Sequence, residues 1–155
     1  MSEPKYVFDT NVFIILKNNY PSDINIFIPL WEKIESMFID GVIISSEEVI
    51  EEIEKGNDSL IDWVKIRKKS FYKSDEPLQH IVREILQKFS ALVTKPKRPN
   101  SADPFIIALA RQMNCIVVTE EKRDGTDLNP KIPFICDYYD IQCIKFVDFL
   151  RDNDF

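Results

Sequence analysis

The sequence predicts an α/β protein in which a mainly parallel sheet lies between two layers of helices. Short apolar runs of the kind that form central strands alternate along the chain with longer stretches of helical periodicity, which is the pattern of three-layer α/β/α folds. With 155 residues, of which 45% are hydrophobic and 30% charged, the composition is that of a folded globular domain. No repeat or low-complexity segment divides the sequence, so we expect residues 1–155 to form one domain.

The first predicted elements are a strand and a helix that meet at Asp9. Lys5–Phe8 is a short apolar run, and the Asp-Thr-Asn that follows it favours a turn or a helix cap because Asp and Asn side chains compete for backbone hydrogen bonds. The helix after this corner carries Val12–Leu16. A second helical stripe runs through residues 21–38, and Pro29 predicts a break or kink inside it.

The middle of the chain predicts one strand and three helices. Gly41–Ser45 is an apolar run bounded by glycine and serine, typical of a central strand. An acidic first turn begins the next helix, which we expect to end near Lys55 at Gly56. Further helical patterns cover Leu60 to about Lys69 and Glu76 to about Leu92.

The last third predicts two more strands. A loop over Lys95–Ser101 precedes a helix over Asp103–Met113, which has proline at a position that suits the first helical turn. Cys115–Val118 and Ile141–Phe146 are the next strand-like runs, and Val147–Arg151 predicts a terminal helical turn.

Composition excludes several classes of protein. Only three glycines occur, and neither glycine-rich phosphate-binding motif is present, which argues against a P-loop kinase and a dinucleotide-binding dehydrogenase. The net charge of −6 is opposite in sign to what electrostatic binding of a phosphate backbone favours. An enzyme of this composition that acts on nucleic acid therefore needs cations at its site, or basic residues gathered on one face.

Nothing in the sequence predicts a membrane segment. No apolar run approaches the ~20 residues that span a bilayer, and no secretory signal precedes the first strand. We therefore expect a cytoplasmic protein without a membrane partner. Its cysteines are then expected to be reduced and buried rather than bound to zinc, and they are Cys115, Cys136 and Cys143.

Acidic residues follow the predicted strands where ligands bind in parallel sheets, at the carboxyl ends. Asp9 and Glu121 come shortly after two of the strands, and Asp103 begins the helix that precedes the second of them. On the helix after the Gly41–Ser45 strand, a helical-wheel projection places Glu52 at the rim of the buried face, and Glu48 lies on the same side.

Each of these acids also has an ordinary structural interpretation. Asp9 and Asp103 could be helix caps, Glu52 could be a solvated helix residue, and Glu120 and Glu121 could be loop acids. The argument for a site therefore depends on the four positions together.

Four segments of the chain resemble the motifs of PIN domains. Val7–Ile14 is similar to the opening motif, a strand that ends in Asp-x-Asn or Asp-x-Ser, and Ile44–Gly56 resembles the second, in which Glu-Leu-x-x-Gly follows a strand and a serine. Ala102–Ala110 and Ile116–Glu121 match the third and fourth. The motifs follow one another in the family's order over residues 5 to 121. Within the family, the chain is most similar to the toxin ribonucleases of VapC type, and among these it resembles a group of somewhat larger PIN-like proteins.

The resemblance implies a PIN-like α/β/α fold and a ribonuclease that depends on Mg²⁺ or Mn²⁺. Aligning Glu52-Ile-Glu-Lys-Gly with the second motif favours Glu52 over Glu48. The fourth motif commonly has Asp or Asn where this chain has Glu121, so Glu120 remains an alternative. The implied catalytic and metal-binding acids are Asp9, Glu52, Asp103 and Glu121, with Asn11 and Thr119 expected to orient them.

The chemistry agrees with this residue set. Mg²⁺ prefers hard oxygen ligands, and a divalent ion both lowers the pKa of a bound water and stabilises charge on a phosphate. The chain has a single histidine, His80, which lies in a helical pattern, and this excludes a mechanism that uses a pair of histidines. Because gathered carboxylates repel one another, we expect at least one raised pKa in the metal-free protein.

Two basic clusters could contact RNA. Lys95, Lys97 and Arg98 lie in the loop before Asp103 and are the favoured substrate-binding residues. The other cluster is Lys65, Lys68 and Lys69, which a helix would place on one face. Ordinary solvated surface is the alternative for both.

The implied partners are RNA, a cognate antitoxin whose segment covers the acidic cleft, and a second copy of the chain in a homodimer. Two other functions remain open. A phosphatase of the haloacid-dehalogenase type also has an Asp after its first strand, but it has a second Asp two residues later, where this chain has Asn11. A PIN-like domain without activity would serve as an interaction module.

Overall fold

The computed structural model describes residues 2–56, 59–94 and 101–155, and its centre is a five-stranded sheet. The strands lie in the order β3-β2-β1-β4-β5, and each neighbouring pair is parallel. Their bounds are β1 Tyr6–Phe8, β2 Ile43–Ser46, β3 Phe71–Tyr72, β4 Ile116–Val118 and β5 Cys143–Ile144. The predicted α/β fold with a parallel sheet is confirmed.

The order of the strands predicts a crevice beside β1. The chain builds outward from β1 through β2 to β3, and then crosses to the other side of β1 to form β4 and β5. Val7 pairs with Ile44 on one side and with Val117 on the other. The carboxyl ends of β1 and β4 therefore meet at a switch point of the topology, where α/β proteins bind ligands.

Helices cover the sheet. They are α1 Thr10–Asn19, α2 Ile28–Ile39, α3 Glu47–Lys55, α4 Ile61–Ile66, α5 Glu76–Lys88, α6 Ala91–Thr94, α7 Asp103–Met113, α8 Ile132–Tyr138 and α9 Phe146–Asp152. α7 packs against β1, β2 and β4 and is covered by α5, which explains why its residues are apolar almost all round. Among the described residues, no helix is both long and apolar enough to cross a bilayer.

An aromatic core, consisting of Phe8, Phe13, Phe38, Phe146 and Phe149, fills the space between β1 and the helices α1, α2 and α9. All five side chains are at most 2% exposed. The Phe8 ring lies 5.1 Å from that of Phe149 at an interplanar angle of 88°, and 5.7 Å from that of Phe13. Edge-to-face contacts of this kind add stability beyond the burial of apolar area, so the end of β1 is held firmly.

Several predicted boundaries were wrong. The stripe over residues 21–38 divides into a 3-10 helix at Asn25–Phe27 and α2, with Pro29 in the first turn of α2, where its missing N–H leaves no hydrogen bond unmade. The pattern over residues 76–92 divides into α5 and α6. The last strand is shorter than expected, because Phe146 already begins α9.

The predicted helix over residues 60–69 ends early, at Ile66. The Arg67 guanidinium lies 3.8 Å from the Trp63 ring centroid, donates to the Trp63 carbonyl at 2.8 Å and pairs with Glu35. A 3-10 helix at Lys68–Ser70 and strand β3 follow. The expected single basic face of Lys65, Lys68 and Lys69 is therefore wrong.

Two elements were not predicted. Strand β3 has two residues, too few for a periodic signal. Helix α8 has seven residues and carries Pro133 in its first turn.

Candidate metal centre

Asp9 lies between β1 and α1 with both carboxylate oxygens directed by hydrogen bonds. One oxygen accepts the Thr10 N–H at 2.7 Å, and the other accepts the Thr119 hydroxyl at 2.8 Å. The residue is the N-cap of α1 and is 3% exposed. The cap interpretation of Asp9 is therefore correct, and it is compatible with a place in a site.

Asp103 is the first residue of α7 and is 6% exposed. The cap residue of this helix is Ala102, so the interpretation of Asp103 as the N-cap is wrong. Its N–H donates to the Ser101 hydroxyl at 3.1 Å. The positive end of the α7 dipole favours a carboxylate at this position.

Glu121 joins Asp9 and Asp103 at the carboxyl end of β4. One oxygen from each of the three lies within 4.8 Å of the others, and within the described ranges this three-acid cluster is the only such group of His, Cys, Asp or Glu. One Glu121 oxygen accepts the Ile132 N–H, at the start of α8, at 2.7 Å. The unpredicted helix α8 therefore helps to position Glu121.

Glu52 lines the same cavity but lies outside the three-acid cluster. One of its oxygens accepts the Thr10 hydroxyl at 2.6 Å, and the other accepts the Ala102 N–H at 2.6 Å. The carboxylate thus connects the residue after Asp9 to the residue before Asp103. Both oxygens of Glu52 are therefore engaged in hydrogen bonds, and its role as a metal ligand stays a prediction.

Thr119 and Asn11 form the support of the cluster. The buried Thr119 hydroxyl donates to Asp9 and accepts hydrogen bonds from the Asn11 amide at 3.3 Å and the Glu121 N–H at 3.2 Å. These three bonds use the full capacity of a hydroxyl group. The Asn11 carbonyl oxygen also accepts the Glu120 N–H at 3.1 Å, so the ends of β1 and β4 are joined by side chains.

The remaining predicted residues are Glu120, Glu48 and the basic residues before Asp103. Glu120 lines the cavity, but one of its oxygens accepts the N–H of Phe146, the first residue of α9, at 3.1 Å. Glu48 accepts the Ser74 hydroxyl at 3.0 Å and is absent from the described cavity wall. The predicted substrate-binding residues Lys95, Lys97 and Arg98 lie outside the described residues.

Burial and charge both act on the cluster. Burial, followed by the charges of Asp103 and Glu121, raises the pKa of Asp9 well above its usual value, while hydrogen bonds from Thr119 and Thr10 oppose the rise. The expected raised pKa is confirmed. A bound divalent cation would offset this repulsion, and three carboxylates at such separations fit the preference of Mg²⁺ or Mn²⁺ for hard oxygen ligands.

The acids open into a cavity of about 820 Å³, within the size range of small-molecule and cofactor sites. Its wall includes residues of α1 and α3 that sequence reasoning missed, namely Ile14, Ile15, Asn18, Asn19 and Lys55. The signal that could have found the α1 residues is helical spacing, because residues four and eight positions beyond Thr10 and Asn11 share their side of the helix.

Comparison with known proteins gives a family and a fold. Residues 6–155 match the model of the family described as "Domain of unknown function (DUF4411)". No curated protein matches the sequence. A chain in the crystal structure of VapBC2 from Rickettsia felis bound to a DNA fragment from their promoter aligns with a TM-score of 0.52 and 14% sequence identity, over 91% of this chain and 98% of that chain.

A chain in the crystal structure of FitAcB from Neisseria gonorrhoeae aligns with a TM-score of 0.49 and 16% identity, over 90% of this chain and 96% of that chain. At 14% identity, the VapBC2 alignment shows a shared fold.

Proposed function

This chain belongs to the DUF4411 family, whose description assigns no activity, and we propose that it is a metal-dependent endoribonuclease that hydrolyses RNA phosphodiester bonds. The observation that carries the proposal is the three-acid cluster, whose oxygens lie within 4.8 Å of one another at the switch point of a parallel sheet. The resemblance of four segments to PIN motifs supports the same activity. RNA as the substrate rests on that resemblance.

In this proposal Asp9, Asp103 and Glu121 hold Mg²⁺ or Mn²⁺. A divalent ion bound there would lower the pKa of the attacking water and would stabilise negative charge on the phosphate. Thr119 directs one Asp9 oxygen, and the Ile132 N–H directs one Glu121 oxygen, so the ligands are oriented before an ion binds. Glu52 fixes the separation of the segments that carry Asp9 and Asp103.

The biological setting is proposed on the motif resemblance. We propose that the chain is the toxin of a type II toxin–antitoxin pair, that it binds a cognate antitoxin, and that it forms a homodimer. The proposals of a toxin and of an antitoxin partner are supported by the fold that this chain shares with a chain of VapBC2, which was crystallised bound to a DNA fragment from their promoter. Three buried free cysteines favour a reducing compartment such as the cytoplasm.

The test is cleavage of a defined RNA panel with and without Mn²⁺, using the wild-type chain and Asp9→Asn. Cleavage by the wild type that requires Mn²⁺ and is lost in Asp9→Asn would support the proposal. Asp23→Asn, at an exposed aspartate outside the described cavity wall, is the matched control and should cleave normally. Cleavage without added metal, or by Asp9→Asn at the wild-type rate, would contradict the proposal.

The rival functions give different results. An inactive interaction module would not bind Mn²⁺ in calorimetry, or would bind it without cleaving any RNA in the panel. A phosphatase of the haloacid-dehalogenase type would form a trappable phosphoaspartate at Asp9. The Asn11 side chain bonds to Thr119 and to the Glu120 backbone, and this structural role disfavours the phosphatase.

A further inference from the structure

The cavity that holds the three-acid cluster continues along one side of α1. Beyond Thr10 and Asn11, this side presents the residues that we call the α1 wall, namely Ile14, Ile15, Asn18 and Asn19. The two isoleucines are half-buried and the two asparagines are exposed. Asn18 lies nine positions beyond Asp9, which corresponds to roughly 13 Å along a helix that rises ~1.5 Å per residue. The asparagine end of the wall is therefore too far from the acids to contact the bond that is cut.

Lys55 adds a positive charge to the wall of the same cavity. The charged residues of the described wall comprise five acids and a single cation, Lys55, which is exposed at the end of α3. Within the described ranges, Lys55 has no ion-pair partner, whereas its neighbour Glu54 pairs with Lys65 at 3.2 Å. The Lys55 ammonium, which lines a cavity whose other charged residues are acids, is suited to a ligand that carries negative charge.

We infer that the α1 wall and Lys55 form a subsite for one nucleotide of single-stranded RNA next to the cleaved bond. The Lys55 ammonium pairs with a phosphate, the base lies against Ile14 and Ile15, and the carboxamides of Asn18 and Asn19 bond to the edge of the base. This inference rests on the proposed function, and it adds that the chain selects where it cuts.

The side-chain chemistry fits a nucleotide at each of these positions. Isoleucine side chains offer an apolar surface for one face of a base. A carboxamide presents one acceptor and two donors, and it can pair bidentately with adenine. Neither Asn18 nor Asn19 has a side-chain hydrogen bond to another described residue, so both carboxamides are available. Unpaired bases are also the form in which RNA is read by sequence.

A nucleotide fits better than an apolar peptide helix. An amphipathic helix in a groove is read through apolar anchors at i, i+3, i+4 and i+7, and the α1 wall offers two adjacent isoleucines followed by two amides. The lysine that lines the same cavity adds charge complementarity to phosphate, which such a helix does not carry.

The test uses a single-stranded RNA library with a randomised core, cleaved in Mn²⁺ and sequenced at the new ends. The variants are Lys55→Gln and the double variant Asn18→Ala/Asn19→Ala. Matched controls are Lys73→Gln and Asn25→Ala, since both residues are exposed and lie outside the described cavity wall. RNA binding is measured separately in the Asp9→Asn background by fluorescence anisotropy over a range of salt concentrations.

The wild type should prefer one base beside the cut, and the double asparagine variant should lose this preference while it keeps Mn²⁺ affinity. Lys55→Gln should weaken RNA binding about fourfold at ~0.15 M salt and reduce the salt slope by about 0.7, as loss of one phosphate contact to a single strand predicts. Both controls should behave as wild type.

Failure of this inference is distinguishable from failure of the proposed function. RNA binding that depends on Lys55, without any cleavage, would overturn the ribonuclease, and the α1 wall and Lys55 would then remain as an RNA-binding site alone. Normal cleavage with an unchanged base distribution in the asparagine variant, and normal binding by Lys55→Gln, would overturn the subsite alone. If the wild type bound an amphipathic helical peptide and these variants did not, with RNA binding unchanged, the α1 wall would be assigned to a protein partner and the nucleotide subsite would be overturned.

Discussion

The aromatic core and the three-acid cluster meet at consecutive residues, Phe8 and Asp9, and they contribute to the molecule in opposite ways. Phe8 is fully buried among rings that gain stability from every contact. Asp9 is almost as buried, and there both burial and the neighbouring carboxylates disfavour its charge.

This difference separates what holds the fold from what holds the site. The core stabilises the end of β1 through apolar packing. The site directs carboxylate oxygens with groups such as Thr119 and the α8 backbone, and its charges oppose one another until a cation binds. Variants of the core should therefore change the free energy of unfolding, and variants of the site should change metal binding and cleavage.

The largest expected effect is in the core. Phe149→Ala removes a fully buried ring that contacts Tyr6, Phe8 and Phe146, and it should reduce the free energy of unfolding by about 3–5 kcal/mol. Phe149→Leu, which keeps most of the apolar volume, should lose less. Urea denaturation of the metal-free protein measures both. If the alanine variant is as stable as wild type, the core does not anchor β1.

Thr119→Val should show the opposite profile. It keeps the shape of the side chain and removes the hydroxyl that connects Asp9, Asn11 and Glu121. Loss of a group that orients ligands should weaken Mn²⁺ affinity or RNA cleavage by about 10–100-fold, with a smaller loss of stability, about 1–3 kcal/mol. Thr119→Ser restores the hydroxyl and should recover most of the function. Equal function in the valine and serine variants would show that the hydroxyl does not orient the cluster.

The pH dependence of stability gives a third way to separate the two regions. Because the folded pKa of Asp9 is raised above the ~3.9 of an unfolded aspartate, its contribution to stability is fully present below the unfolded value. That contribution is lost as the pH rises through the folded pKa. In EDTA, Asp9→Asn should therefore become more stable relative to wild type as the pH increases, whereas Phe149→Leu should differ from wild type by a constant amount.

Thermal melts of the three proteins from about pH 4 to pH 8 measure these differences. A difference between Asp9→Asn and wild type that does not change with pH would contradict the raised pKa. Mn²⁺ should reverse the order at neutral pH, because binding to the folded wild type adds stability that the variant lacks.

The sequence was informative wherever local rules apply. The alternation of strands and helices predicted the sheet, and the position of Asp9 and Glu121 after strands predicted that they would meet, because parallel strands end at one edge. A helical wheel placed Glu52 at the rim of its helix, and it lines the cavity.

What the sequence could not predict depends on contacts between distant segments. The two donors that occupy Glu52 lie 42 and 50 residues away along the chain, so no local pattern reveals that the carboxylate is engaged. Likewise, α8 is too short for a periodic signal, although its first N–H bonds to Glu121. Burial in the fold, not composition, sets the pKa of Asp9.

The smallest expected effect on stability tests the comparison at two adjacent residues, Glu120 and Glu121. Each accepts the first N–H of a helix, Phe146 of α9 for Glu120 and Ile132 of α8 for Glu121, so each contributes to fold in a similar way. Only Glu121 also has an oxygen in the three-acid cluster. Glu120→Gln and Glu121→Gln should therefore both reduce stability slightly, by about 0.3–1 kcal/mol for loss of a charge at a helix N-terminus.

Their effects on metal should differ because glutamine offers one weak neutral oxygen in place of a carboxylate. Glu121→Gln should weaken Mn²⁺ binding and slow cleavage, whereas Glu120→Gln should leave both close to wild type. Calorimetric titration with Mn²⁺ and the RNA panel distinguish the two variants, and denaturation shows whether their folds are equally intact. If Glu120→Gln weakened Mn²⁺ binding and Glu121→Gln did not, Glu120 would be the residue that joins the cluster when metal binds. Glu120 would then release the first N–H of α9. In that case α9, which belongs to the core, would also be part of the site.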